Sequence, residues 1–153
     1  MSGRLEGKTA VVVGAAGKDN AGQAIARRFA AEGATVLVAG RREEPLAALA
    51  AEIGGHWALV DIRFRDQVEA LRQAALEKLG GRVDILVNCA GIGLLKPLEE
   101  MQEEDLELMS ALQFKGVHHL LQAFVPVMVA QGGGAILQTS SATTDRIIDD
   151  HAA

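Results

Sequence analysis

The 153-residue sequence predicts an α/β fold, a doubly wound parallel sheet with helices on both faces. Three observations carry that prediction. Five short apolar runs, rich in Val, Ile and Leu and hardly alternated, read as strands buried on both sides. Amphipathic helical patterns fill the intervals between them. A glycine-containing turn joins the first run to the first helix, and the residues able to do chemistry fall at strand ends, where such sheets bind ligands.

The elements follow in order. Residues 8–13 form the first strand. Ala21, Ala24, Ile25 and Phe29 then share one helical face, and Gly33 stops that helix. Residues 34–39 form the second strand. Leu46, Leu49 and Ile53 recur at helical spacing, with Pro45 suited to a first turn. Residues 56–60 form the third strand. Val68, Leu71 and Ala75 make the next stripe, closed by Gly80 and Gly81. Residues 83–87 form the fourth strand. A longer helical stretch is expected over about 103–130, with Pro126 the residue able to kink it. Residues 135–139, after three glycines, form the fifth strand. Strict alternation of strand and helix implies right-handed crossovers.

Composition narrows the function. The chain is 49% hydrophobic and 23% charged, as in ordinary globular proteins, and its length suggests one domain over 1–153. With a net charge of −5 and no basic run, no nucleic-acid partner is expected. No apolar stretch approaches the ~18 residues of a membrane span, and residues 1–8 lack the apolar core of a signal peptide. Cys89 is alone, so no intrachain disulfide forms. A cytoplasmic protein with no membrane partner and no metal site is the expectation.

The turn after the first strand runs Gly14-Ala15-Ala16-Gly17-Lys18-Asp19-Asn20-Ala21-Gly22. Glycine serves where a backbone bends sharply or approaches a ligand closely. The following helix offers N–H groups and a partial positive charge to a phosphate. Gly14, Gly17, Lys18, Asn20, Ala21 and Gly22 are therefore candidate contacts to a cofactor pyrophosphate. The alternative is a tight strand-to-helix turn with no ligand.

Cofactor choice is read at the end of strand two. Dinucleotide folds often place an acidic residue there for the ribose 2′-hydroxyl. Here stands Gly40, followed by Arg41 and Arg42. Arginine favours a 2′-phosphate through charge-assisted hydrogen bonds. NADP(H) is expected over NAD(H), with Arg41, nearer the strand, the first candidate. The alternative is two solvated arginines opening a helix.

Taken together, these segments resemble the short-chain dehydrogenase/reductase family from about Leu5 to the end. The glycine turn, Asp61 after strand three, Asn88-Cys89-Ala90-Gly91 after strand four and Ser141 after strand five occur in the family's order. The resemblance implies a Rossmann-type fold in three layers, here lacking the usual last strands and helix. It implies that Asp61 accepts from the adenine amino group with the Ile62 amide nearby, though Asp61 could also cap the next helix. It implies that Asn88 supports the central strand beside the ribose, that Ala90, Gly91 and Thr139 lie against the cofactor, and that Ser141 polarises a substrate carbonyl. A small-molecule carbonyl or alcohol substrate and a homo-oligomer are implied as well.

Four departures from the family pattern stand out. The turn is two residues longer than usual, with Asn20 in place of the middle glycine, where a left-handed backbone is expected. Longer turns of this kind resemble the enoyl-reductase branch. Cys89 replaces an asparagine and reads as a small buried filler. Gln113 replaces the asparagine that holds a proton-relay water. Finally, the family's proton donor is a tyrosine about 13 residues after the serine, followed by a lysine; that place lies one residue past Ala153, and the sequence contains no tyrosine. His118, His119 and His151 are expected to be structural or exposed rather than substitutes.

The leading expectation is thus an NADP(H)-dependent oxidoreductase whose acid pair lies outside this chain, leaving little turnover. The alternatives are an inactive dinucleotide-binding module, or a truncated fragment or piece of a split protein whose open fifth strand and long helix serve assembly.

Overall fold

A computed structural model describes residues 3–141. Its centre is a five-stranded parallel sheet: β1 (Thr9–Val13), β2 (Thr35–Gly40), β3 (His56–Leu59), β4 (Ile85–Asn88) and β5 (Ala135–Gln138), in the order β3-β2-β1-β4-β5. The chain turns outward from β1 in both directions, so the switch point lies between β1 and β4. Their register sets Val13 beside Asn88. This places the end of β1 and the end of β4 at one crevice.

Among the described residues five α-helices accompany the strands: α1 (Ala21–Ala31), α2 (Glu43–Ile53), α3 (Arg65–Lys78), α4 (Glu103–Met109) and α5 (Gly116–Ala130). Both faces of the sheet are covered over β1, β2 and β4, which is why these strands read as continuous apolar runs. Ala10, Val12, Val36 and Val38 pack on Ala26, Leu46 and Leu49. Val11, Val13 and Leu37, one residue out of phase, pack on Val68, Leu71, Leu120 and Phe124. Strand alternation thus sends successive side chains into two separate cores, and the expected three layers are present.

Asp84, just before β4, ties the near ends of β1 and β4 together. Its carboxylate accepts from the Thr9 amide at 3.0 Å and from Arg82 Nε at 2.7 Å. The opposite edge is open among the described residues. All four residues of β5 are exposed, Leu137 by half. Leu121, Val125 and Val129 of α5 are exposed as well.

The long helical stretch runs over 103–130 as expected, with one irregularity inside it. α4 passes into a π-helical turn at Ser110–Lys115, and α5 continues as α-helix through Pro126. Pro126 is exposed, where the missing N–H leaves no buried group unpaired. The π-helical turn leads into Gly116 where the helix meets the sheet end: a Cβ on Gly116 would stand 2.7 Å from Ile62 Cγ1.

Candidate cofactor-binding site

A cavity of about 480 Å³ opens at the switch point. Its lining draws on the ends of four of the five strands: Gly14, Gly17 and Asn20 from the turn after β1, Arg41 and Arg42 after β2, Asp61 and Ile62 after β3, and Ala90 and Gly91 after β4. These nine were all candidates from sequence. Distant segments therefore converge because parallel strands all end on the same side.

The turn is built by close approach. Gly14 has φ +87°, and a Cβ there would lie 2.5 Å from the Ala90 amide nitrogen. A Cβ on Gly22 would lie 2.8 Å from the Gly14 carbonyl oxygen. Both glycines are thus needed for the backbones to meet, and Gly91 has open space where its Cβ would point. Hydrogen bonds then fasten the turn to β2. The Gly14 amide donates to the Ala39 carbonyl at 2.8 Å, and Arg42 Nη2 donates to the Ala16 carbonyl at 2.5 Å.

Asn20 does not adopt the left-handed backbone expected of it. It is extended, at φ −85° and ψ 171°, and is the N-cap of α1. The positive φ falls on Asp19, at 49°. An Asn at the cap accepts from the helix amides, which requires extended backbone, so the left-handed step moves one residue upstream. Asp61 is likewise no helix cap. Phe64 takes that position in α3, and the Asp61 carboxylate grips Arg63, with Nη2 to Oδ2 at 2.6 Å. That hydrogen bonding holds the carboxyl below the usual carboxylate range, and Arg41 adds a smaller Coulombic share.

Ile62 is held from the far side by His119, whose Nδ1 lies 3.0 Å from the Ile62 carbonyl oxygen. His119 is thus bound into the fold, and His118 is exposed; His151 lies outside the described residues. Asn88 is buried and holds the lining residue Ala90 without itself lining the cavity. Its Oδ1 accepts from the Ala90 amide at 3.0 Å, and its Nδ2 donates to Gln138 Oε1 at 2.8 Å.

The remaining candidates stand apart from the cavity. Thr139 Oγ1 donates to the Asn88 carbonyl. Gln113 lies in the π-helical turn, its Nε2 donating to the Ile92 carbonyl at 3.4 Å. Lys18 lines a neighbouring hollow between α1 and α2, which shares Ala16 and Arg42 with the main cavity. Ala21 is exposed at the start of α1, and Ser141 is exposed beyond β5. Among the described residues no group of three His, Cys, Asp or Glu could hold a metal, and no helix is long and apolar enough to cross a membrane.

Sequence reasoning missed several lining residues. Ile92 and Leu112 complete the apolar wall, and Ala16 and Gly40 meet at its rim. Leu112 adjoins Gln113, and Ala16 sits inside the glycine turn, so proximity to flagged residues was the available signal. Cys89 also lines the cavity, half-buried, and burial pushes its thiol pKa up.

A Cβ-free cradle, a helix N-terminus and convergent arginines fit a dinucleotide phosphate. Comparison with known proteins gives the family. A sequence model of the short chain dehydrogenase family matches residues 8–150. The D-threitol dehydrogenase of Mycolicibacterium smegmatis is 36% identical over 98% of this chain, which spans 58% of that relative's length. The structure of a metagenomic short-chain oxidoreductase in complex with NADP superposes with a TM-score of 0.85 at 35% identity, covering 97% of this chain and 68% of the other. A 7α-hydroxysteroid dehydrogenase complexed with NADH and 7-oxo glycochenodeoxycholic acid gives 0.87 at 34% identity, covering 96% and 58%.

Proposed function

The chain belongs to the short-chain dehydrogenase family, and on that premise we propose that it binds NADP(H) for hydride transfer between a nicotinamide and a carbonyl or alcohol. The observation that carries the reading is the pairing of the glycine cradle with Arg41 and Arg42 at one cavity. When bound, the cofactor supplies a hydride to, or takes one from, the substrate carbon.

The residues of this chain then have distinct tasks. Gly14, Gly17 and Asn20 would seat the pyrophosphate near the positive end of α1. Arg41 would pair with the 2′-phosphate, while Arg42 holds the turn through Ala16. Asp61 and the Ile62 amide would receive the adenine. Ala90 and Gly91 would lie along the ribose side, above the Asn88 brace. Ser141 would orient the substrate carbonyl, and Gln113 would hold a relay water near Ile92. Reduction of a carbonyl leaves an alkoxide that needs a proton. The sequence holds no tyrosine, so we assign these 153 residues, as one domain, the cofactor-binding half of the reaction.

Calorimetric titration of the purified chain with NADPH and NADH tests this. Tighter binding of NADPH is expected. Binding of neither nucleotide would overturn the reading.

A further inference from the structure

We propose that Ala16 is a determinant of cofactor choice, because its methyl group fills the space that a side chain at position 40 would need. The inference rests on the dinucleotide reading of the cavity and extends it to a methyl group on the cavity's lining.

Position 40 closes β2, where dinucleotide folds place a ribose-binding carboxylate. Gly40 is an ordinary strand residue, paired with Leu59 of β3, and its φ is not in the left-handed region. Backbone conformation therefore does not call for glycine here. Space does. A Cβ on Gly40 would lie 2.9 Å from Ala16 Cβ and 3.5 Å from the Ala16 nitrogen. A methyl group has no rotamer with which to step aside.

Neither partner can retreat. The turn is fastened to the end of β2 by Gly14 N and Ala15 N, both donating to the Ala39 carbonyl, and by Arg42 Nη2 donating to the Ala16 carbonyl. Gly40 is fastened on its other side, its carbonyl accepting from the Val60 amide at 2.8 Å. The lengthened turn and an acidic residue at position 40 are thus mutually exclusive while Ala16 keeps its methyl. Arg41, which follows, is then the group left to meet the adenosine ribose.

The test is a double-substitution cycle on the whole chain: wild type, Ala16→Gly, Gly40→Asp and the pair. Affinities for NADPH and NADH and the thermal midpoint are measured for each. Gly40→Asp alone is expected to lower the midpoint, weaken NADPH binding about tenfold and gain no NADH binding. Adding Ala16→Gly is expected to recover the midpoint and raise NADH affinity about tenfold over the single variant. Gly40→Ala, with and without Ala16→Gly, supplies the same midpoint comparison should Gly40→Asp fail to fold. Wild-type protein that binds neither nucleotide overturns the reading of the cavity. Wild-type binding with additive effects of the two substitutions, or full NADH binding by Gly40→Asp alone, overturns the role of Ala16.

Discussion

Asn20 reaches back across its own turn to Gly14: its Nδ2 donates to the Gly14 carbonyl at 2.7 Å while its Oδ1 accepts from the Gln23 amide at 3.0 Å. One side chain thus caps α1 and closes the loop. Asn20→Ala should cost about 1–3 kcal/mol in urea denaturation, from the lost cap and an unpaired Gly14 carbonyl. Asn20→Asp keeps the cap but not the donor. It should weaken NADPH binding more than it weakens stability, and an unchanged affinity would remove the turn from the site.

Arg41 lies at the cavity, and unlike Arg42 it is not committed to the Ala16 carbonyl. Arg41→Asp should lower the ratio of NADPH to NADH affinity by about tenfold or more. An unaltered ratio in parallel titrations would refute its role with the 2′-phosphate.

Two glycines separate conformational strain from close approach. Gly54 caps α2 at φ +64° with open space around its Cβ position. Gly54→Ala should cost about 1–2 kcal/mol, the left-handed penalty alone. Gly14→Ala adds a collision with the Cys89–Ala90 peptide and should cost at least about 3 kcal/mol. Equal urea midpoints for the two variants would count against the packed turn.

Asp84 makes stability pH-dependent. Burial alone would raise its pKa, but hydrogen bonds from the Thr9 amide, Arg82 and the Thr9 hydroxyl outweigh burial and lower it. A carboxyl with a lowered folded-state pKa binds protons more readily when unfolded. Its stabilisation is therefore present above the ordinary carboxylate value of about 3.9 and lost as pH falls through the folded value. Asp84→Asn should cost about 1.5–3 kcal/mol at pH 7. The gap from wild type should close below about pH 4, which denaturation across pH would reveal.

Much of this protein is legible in its sequence. The five strands announce themselves as short apolar runs, which burial on both faces demands of β1, β2 and β4, and each is observed within two residues of its expected ends. The glycines of the turn are legible because few other residues allow such backbone approach. Family-level features such as Asp61 and Asn88 carry recognisable neighbours. All of these are local signals, written within a few residues.

What the tertiary structure decided depends on residues far apart in the chain. Pro126 leaves α5 helical, while the π-helical turn comes just before Gly116, which packs against Ile62 of another layer. Asn20 became an extended cap because Gly14 offered it a carbonyl, and Asp61 turned to Arg63 rather than capping α3. The meeting of Ala16 with Gly40 exists only because β1 and β2 pair in register and bring turn and strand end together. Sequence patterns report which side chains must leave water; they do not report which neighbour each one meets, because that is set by sheet register and close packing between segments the chain order separates.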